Sequence, residues 1–263
     1  MADSRFNPDH YSVAGKTIAI TGAAGGMGRI FATHLAEEGA NVVISDLNDQ
    51  VHTTAEEITN ELSGENIGKV VSCIVDVTNA EEHGKMVELA LAEFAQLDGW
   101  INNAGVFPQA ASLDITPQQI ELALNVNVNG TLFGAQAAAR HFQINGGGSI
   151  VNMASVAALR VRKTRGAYNA AKAAALHLTN SLATELGPDN IRVNAIAPGF
   201  IETAMTQWIY EEEGAYDKAI ASIPLTRLGK PKEVYSAVRF LLTDAASYVN
   251  GSCISVDGGS RHL

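Results

Sequence analysis

Short runs of β-branched and aliphatic residues alternate along this chain with longer stretches in which apolar positions recur every three or four residues. The short runs, at 16–21, 41–46, 69–76, 98–105, 146–155, 190–198 and 253–259, read as strands. Between them the helical period covers 27–38, 48–62, 79–95, 116–143, 166–187 and 231–243. Pro117 stands in the first turn of the 116–143 stretch, where its missing N–H costs nothing, so the whole stretch is read as one long helix. Strict strand–helix alternation predicts a doubly wound α/β fold with a parallel sheet of about seven strands and helices on both faces. No linker, low-complexity tract or repeat of solenoid period breaks the pattern, so residues 1–263 are expected to form a single domain. Within it, 200–222 reads as a helical flap carrying Ala204, Met205, Trp208, Ile209 and Tyr210, then Glu211–Glu213. Such a flap either borders a substrate pocket for an apolar or ring-containing molecule or merely packs on its own domain or a neighbouring subunit.

Composition narrows the function classes. With 46% hydrophobic and 17% charged residues the chain can bury a sizeable core. A net charge of −10 argues against nucleic acid as a partner, because affinity for phosphate backbones comes mainly from Lys and Arg. The first fifteen residues are mixed polar and lack a secretory apolar core, and no apolar run is long enough to span a bilayer. Cys73 and Cys253 are the two cysteines, both inside strand-like runs, which fits small core residues better than a disulfide or metal site. The expectation is a cytoplasmic protein with no membrane partner and no metal.

The turn after the first strand, Thr21-Gly22-Ala23-Ala24-Gly25-Gly26-Met27-Gly28, opens a helix. Glycines there let a pyrophosphate approach free N–H groups at a helix N-terminus. Asp46 ends the second strand eighteen residues after Gly28, near the spacing of a carboxylate that binds an adenosine ribose. The combination reads as a Rossmann-type dinucleotide site. A carboxylate accepts from two ribose hydroxyls and repels a 2′-phosphate, and the neighbours Leu47 and Gly25 are not basic, so NAD(H) is expected rather than NADP(H).

Further motifs follow in order: Asn102-Asn103-Ala104-Gly105, Asn127-Val128-Asn129-Gly130, Ser155, Tyr168-Asn169-Ala170-Ala171-Lys172 and Pro198-Gly199-Phe200-Ile201-Glu202-Thr203. Together with the glycine turn they resemble the short-chain dehydrogenase/reductase family over nearly the whole chain, about 16–259. Met27 departs slightly, standing where the family usually has isoleucine. The resemblance implies an oxidoreductase that interconverts a secondary alcohol and a ketone, with Asn127, Ser155, Tyr168 and Lys172 as catalytic residues. By the same resemblance Gly22, Gly26, Met27, Gly28, Asp46, Asp76, Val77, Asn103, Gly105, Pro198, Gly199, Ile201 and Thr203 join Tyr168 and Lys172 in contacting the dinucleotide. It also implies a homotetramer built through the two long Ala-rich helices. Alternatives of the same fold are a ketoreductase resembling the 3-oxoacyl-carrier-protein reductases and a dinucleotide-binding protein without chemistry.

The chemistry is legible in the spacing. Free tyrosine, with a pKa of about 10, is a poor base at neutral pH, and a neighbouring cation lowers that value. Tyr168 and Lys172 are four apart, hence on one helix face. Ser155, at a strand end, can donate to the substrate oxygen. Asn127 is implied to hold a water that relays protons from Lys172, although a buried asparagine bonded to a neighbouring carbonyl is the plainer role. Finally, Arg160, Arg162, Lys163 and Arg165 lie between Ser155 and Tyr168. They read as a recognition site for an anionic substrate or, more ordinarily, as a solvated loop or interface ion network.

Overall fold

The computed structural model describes residues 7–211 and 213–262. The first six residues of the polar amino-terminal stretch, Glu212 in the acidic end of the flap, and Leu263 lie outside the described residues. Seven strands form one sheet: β1 (Thr17–Thr21), β2 (Asn41–Asp46), β3 (Val70–Ile74), β4 (Gly99–Asn102), β5 (Gly148–Met153), β6 (Ile191–Pro198) and β7 (Cys253–Val256). They pair in parallel throughout in the order β3-β2-β1-β4-β5-β6-β7. The helices are α1 (Gly26–Glu37), α2 (Gln50–Glu61), α3 (His83–Phe94), α4 (Pro117–Leu124), α5 (Gly130–Asn145), α6 (Gly166–Leu186), α7 (Trp208–Glu211), α8 (Ala215–Ala221) and α9 (Pro231–Leu242).

Alternation along the strands builds two cores. Ile18, Ile20, Val42 and Ile44 face one side, where Phe31 and Leu35 of α1, Val51 and Ile58 of α2, and Val238 and Leu241 of α9 cover them. Ala19 and Val43 face the other, under Met86 of α3, Ala135 and Phe142 of α5, and Ala183 of α6. Every residue of β1 and β4 is buried, as a sheet covered on both faces requires. The chain runs outward from β1 to β3 and then crosses back to β4 on the far side of β1, which opens a crevice beyond the carboxyl ends of those strands.

Two expectations are revised. Residues 116–143 are not one helix. Between α4 and α5 lies a π-helical turn, Asn125–Asn129, in which the Gly130 N–H bonds to the Asn125 carbonyl five residues back. Its cause is a tertiary contact: Asn127 is fully buried and both ends of its amide bond to the Val106 main chain, so its side chain must point inward. The strands also stop earlier than their hydrophobic runs, leaving Asp76, Asn103, Gly105 and Ser155 in the loops just past the sheet.

A line of buried amides ties the sheet to its helices below those loops. Asn102 Nδ2 donates to Asn152 Oδ1 (2.8 Å) and to the Thr131 carbonyl (3.1 Å), and Trp100 Nε1 donates to Asn102 Oδ1 (2.7 Å). Asn152 Nδ2 donates in turn to Thr179 Oγ1 of α6 at 2.9 Å. Asn102→Ala would leave the Trp100 N–H and one Asn152 oxygen without partners in a dry interior. We expect that variant to lose about 2–4 kcal/mol of stability in chemical denaturation, well beyond the cost of a surface amide.

Candidate active site

The glycine turn is held shut against the loop after β4. Thr21 Oγ1 accepts from the main-chain N–H of Asn103 (3.1 Å) and of Ala104 (3.2 Å). Asn103 Nδ2 donates back to the carbonyls of Thr21 (3.0 Å) and Gly22 (2.7 Å). Gly22 has φ +65° and approaches so closely that a Cβ would lie 2.5 Å from Ala104 Cα. Gly28 is packed as tightly, since a Cβ there would lie 2.5 Å from the Gly22 carbonyl oxygen. Gly25 and Gly26 instead face open space. Gly25 caps α1 with no side-chain hydrogen bond, so the helix presents bare N–H groups to the crevice.

A cleft of about 450 Å³ runs over this turn, lined by Gly22, Gly26, Met27, Asp46, Asp76, Val77, Asn103, Gly105 and Thr203 of the anticipated residues. Leu47, Val126 and Met205 are among the walls the sequence reading missed. A dinucleotide fits this set: bare helix N–H groups for phosphates, apolar walls for adenine, a carboxylate for ribose. Asp46 accepts from the N–H groups of Ala24 (3.1 Å) and Asn48 (3.2 Å), which fixes it at the rim. No Lys, Arg or His lines the cleft among the described residues. Arg29, the nearest cation in sequence to the turn, is committed to Glu57 (2.5 Å) and Glu61 (2.7 Å). Ile201 and Pro198 do not line the cleft. The Ile201 side chain is in the core against Gly229, and Pro198 is buried at the end of β6, which leaves only their main chain to meet a ligand.

A second, narrower pocket adjoins the first. Ser155, Tyr168, Arg162, Arg165, Gly199, Phe107, Phe200, Met205, Thr206 and Trp208 are in its wall. Ser155 follows β5, caps a short 3-10 turn by accepting from the Ala157 N–H at 3.1 Å, and shares the pocket wall with Tyr168, whose ionised form its hydroxyl favours. Phe107, for which the sequence gave no signal beyond its place two residues after Gly105, packs edge-on to Tyr168 at 4.8 Å between ring centroids. Lys172, one turn along α6, lies 5.8 Å from the Tyr168 ring centroid and donates to the Met153 carbonyl at 2.7 Å. Asn127 donates to the Val106 carbonyl (3.0 Å) and accepts from the Val106 N–H (3.1 Å). Its side chain thus fixes the loop that carries Gly105 and Phe107.

Electrostatics modify the simple picture of a cation lowering a phenol. Burial raises the Tyr168 pKa above its ordinary value, with the Ser155 hydrogen bond and the Arg165 charge opposing it. Burial likewise pushes the Lys172 ammonium down to about 8. In the protein alone, then, desolvation outweighs the pairing anticipated from the i, i+4 spacing. The flap has both anticipated characters: Phe200, Met205 and Trp208 face the pocket, while Ile209 is buried with Ala219, Ile223 and Leu228 in a small core of its own. The basic run divides. Arg160 donates to the Ser260 carbonyl at 2.6 Å, Lys163 is exposed, and only Arg162 and Arg165 reach the pocket.

Comparison with known proteins agrees with this geometry. Residues 22–261 match the family model described as enoyl-(acyl carrier protein) reductase. A 3-oxoacyl-[acyl-carrier-protein] reductase of Thermotoga maritima is 36% identical over 245 residues, covering 93% of this chain and 97% of the relative. An L-rhamnose-1-dehydrogenase of Scheffersomyces stipitis is 38% identical over 248 residues, covering 93% of this chain and 95% of the relative. The solved structure of a short-chain type dehydrogenase/reductase from Mycobacterium ulcerans superposes with a TM-score of 0.91 at 33% identity, covering 95% of this chain and 91% of that one. The chain belongs to the short-chain dehydrogenase/reductase family, a family of oxidoreductases that bind a nicotinamide dinucleotide.

Two measurements test the electrostatics. Unfolded lysine keeps its proton to about 10.4, whereas Lys172 in the folded chain gives it up near 8. Between those values the unfolded state binds more protons, so this group makes folding more favourable as pH rises. The stability difference between wild type and Lys172→Met, both without cofactor, is expected to move in favour of wild type by up to about 3 kcal/mol from pH 8 to 10.5. Because the Arg165 charge favours the Tyr168 phenolate, Arg165→Leu is expected to shift the pH dependence of kcat/KM for alcohol oxidation to higher pH.

Proposed function

We propose that this protein interconverts a secondary alcohol and a ketone with NAD(H) as the hydride partner. The observation that carries the reading is that Ser155 and Tyr168 line the narrow pocket while Lys172 lies behind Tyr168 and beside Gly105 of the adjoining cleft. When bound there, the nicotinamide supplies the hydride acceptor for oxidation or the donor for reduction. Tyr168 takes the proton from the alcohol oxygen in oxidation and returns it in reduction. Ser155 donates to the same oxygen and stabilises the charge that develops on it. Lys172, buried beside Gly105, is proposed to favour the phenolate and to bond the nicotinamide ribose hydroxyls when the dinucleotide is bound. Asn127 positions Val106 and, through its π-helical turn, is proposed to belong to the proton path from Lys172. NAD(H) over NADP(H) is supported by Asp46 at the rim and by a cleft wall without cations.

The same reading treats 200–222 as a flap over the pocket and the chain as a cytoplasmic homotetramer. Exposed Ala170, Ala173 and Ala174 on α6, with Leu122 and Leu124 on α4, support an assembly through these helices. No helix among the described residues is long and apolar enough to cross a membrane. Light scattering on the purified chain checks the tetramer.

Tyr168→Phe is expected to lower kcat at least about a hundredfold while NADH binding, followed by fluorescence, stays nearly intact. A variant keeping more than half of wild-type kcat would sink the mechanism. Turnover of NADPH faster than NADH at equal low concentration would overturn the cofactor assignment, and the Asp46→Ser variant should narrow the preference for NADH.

A further inference from the structure

Arg162 is the oddest residue of the pocket. Its Nε and Nη2 are cut off from solvent and have no hydrogen-bond partner. These two N–H groups lie on the same edge of the guanidinium, the edge that meets both oxygens of a carboxylate side by side. The face of the group is used: it lies over the Phe200 ring at 5.1 Å from the centroid. Arg165 stands beside it over Phe107 (4.7 Å), Phe200 (5.6 Å) and Trp208 (5.6 Å). Neither arginine forms an ion pair among the described residues.

The protein's own acids do not supply the missing acceptor. Asp257 is the carboxylate whose charge Arg162 feels. Its oxygens accept from the N–H groups of Gly259 (3.1 Å) and Arg261 (2.8 Å) instead. Glu213 shares a neighbouring cavity with Arg162 but makes no ion pair with it. Among the described residues, no acidic side chain lines the pocket that holds Ser155 and Tyr168. A pocket with two cations, no anion and an unfilled bidentate edge is matched to a ligand that brings the anion with it.

We propose that the substrate carries a carboxylate that pairs with the Arg162 guanidinium in the pocket wall, displacing the groups that now close off its Nε and Nη2, while its alcohol or ketone carbon faces Ser155 and Tyr168. The walls between the two ends are Phe107, Phe200, Met205 and Trp208, so the body joining them is hydrocarbon, open-chain or ring. The substrate class is therefore a compact secondary hydroxy acid and its keto acid. Arg165 adds charge to the site and holds the aromatic walls. This assignment rests on the oxidoreductase reading of the same pocket.

The test sets secondary hydroxy acids of varied spacer, open-chain and cyclic, against their own methyl esters in NAD⁺ reduction. For the best pair, wild-type kcat/KM should favour the acid at least tenfold. Arg162→Met should reduce the acid-to-ester ratio about a hundredfold, mainly through KM, and Arg162→Lys should restore only part of it. Lys163→Ala, which alters an exposed charge of the same loop, should leave the ratio unchanged. In calorimetry with NADH present, cyclohexanecarboxylate should bind wild type and fail to bind Arg162→Met. An acid turned over no better than its ester, or a ratio that Arg162→Met leaves intact, overturns the carboxylate assignment and leaves the oxidoreductase reading standing. A preference for the phosphate monoester of a diol over every hydroxy acid overturns it in favour of a different anion. Wild type that binds NADH yet oxidises no acid, ester or simple alcohol, and reduces no corresponding ketone, overturns the catalytic reading and this proposal with it.

Discussion

The contact between Gly22 and Ala104 is the constraint around which the site is organised. Two backbones from β1 and β4, strands adjacent in the sheet but far apart in sequence, meet with no side-chain volume between them. Thr21 and Asn103 lock that meeting with four hydrogen bonds, two in each direction. Because the junction is rigid, the start of α1 and the loop carrying Gly105 and Val106 have a fixed separation. The cleft is the space left between them. Asn127 extends the lock from Val106 into the π-helical turn, and Lys172 extends it to Met153 at the end of β5. The reacting groups are thus placed by side chains of the sheet-end loops and helices that are each tied to neighbouring main chain, which pre-sets their positions.

Much of this was legible in the residues. Parallel strands buried on both faces leave near-continuous aliphatic runs, and glycines with no freedom to be anything else mark the turn. Tyr168 and Lys172 were legible because a helix puts positions four apart on one face. What was not legible depended on tertiary contact. The break in the 116–143 helix comes from Asn127 reaching Val106, a partner twenty-one residues away, and no local propensity encodes that reach. That the Ile201 side chain turns into the core, beneath the segment its motif marks, is likewise a tertiary fact. Phe107 had no motif at all, and its role emerges only because α6 brings Tyr168 beside it.

Burial also reverses an argument that spacing alone invites. Proximity of a lysine lowers a tyrosine pKa where both remain solvated or the lysine keeps its charge. Here both groups are withdrawn from water, and each is pushed toward its neutral form. Tyr168 is held toward the neutral phenol, and a further positive charge nearby would move it toward the phenolate. The arginines of the pocket face the same desolvation, which is why an unfilled guanidinium edge is informative there and would not be on the surface.

The short 3-10 turn Ala204–Thr206 is a wall shared by two rooms. Thr203 and Ala204 face the dinucleotide cleft, Thr206 faces the narrow pocket, and Met205 faces both. Thr206 Oγ1 pins the turn by accepting from the Thr203 N–H at 3.0 Å. A ligand that orders this turn from one side spares the other ligand the same entropy, so occupancy of either cavity strengthens binding in the other by an equal factor.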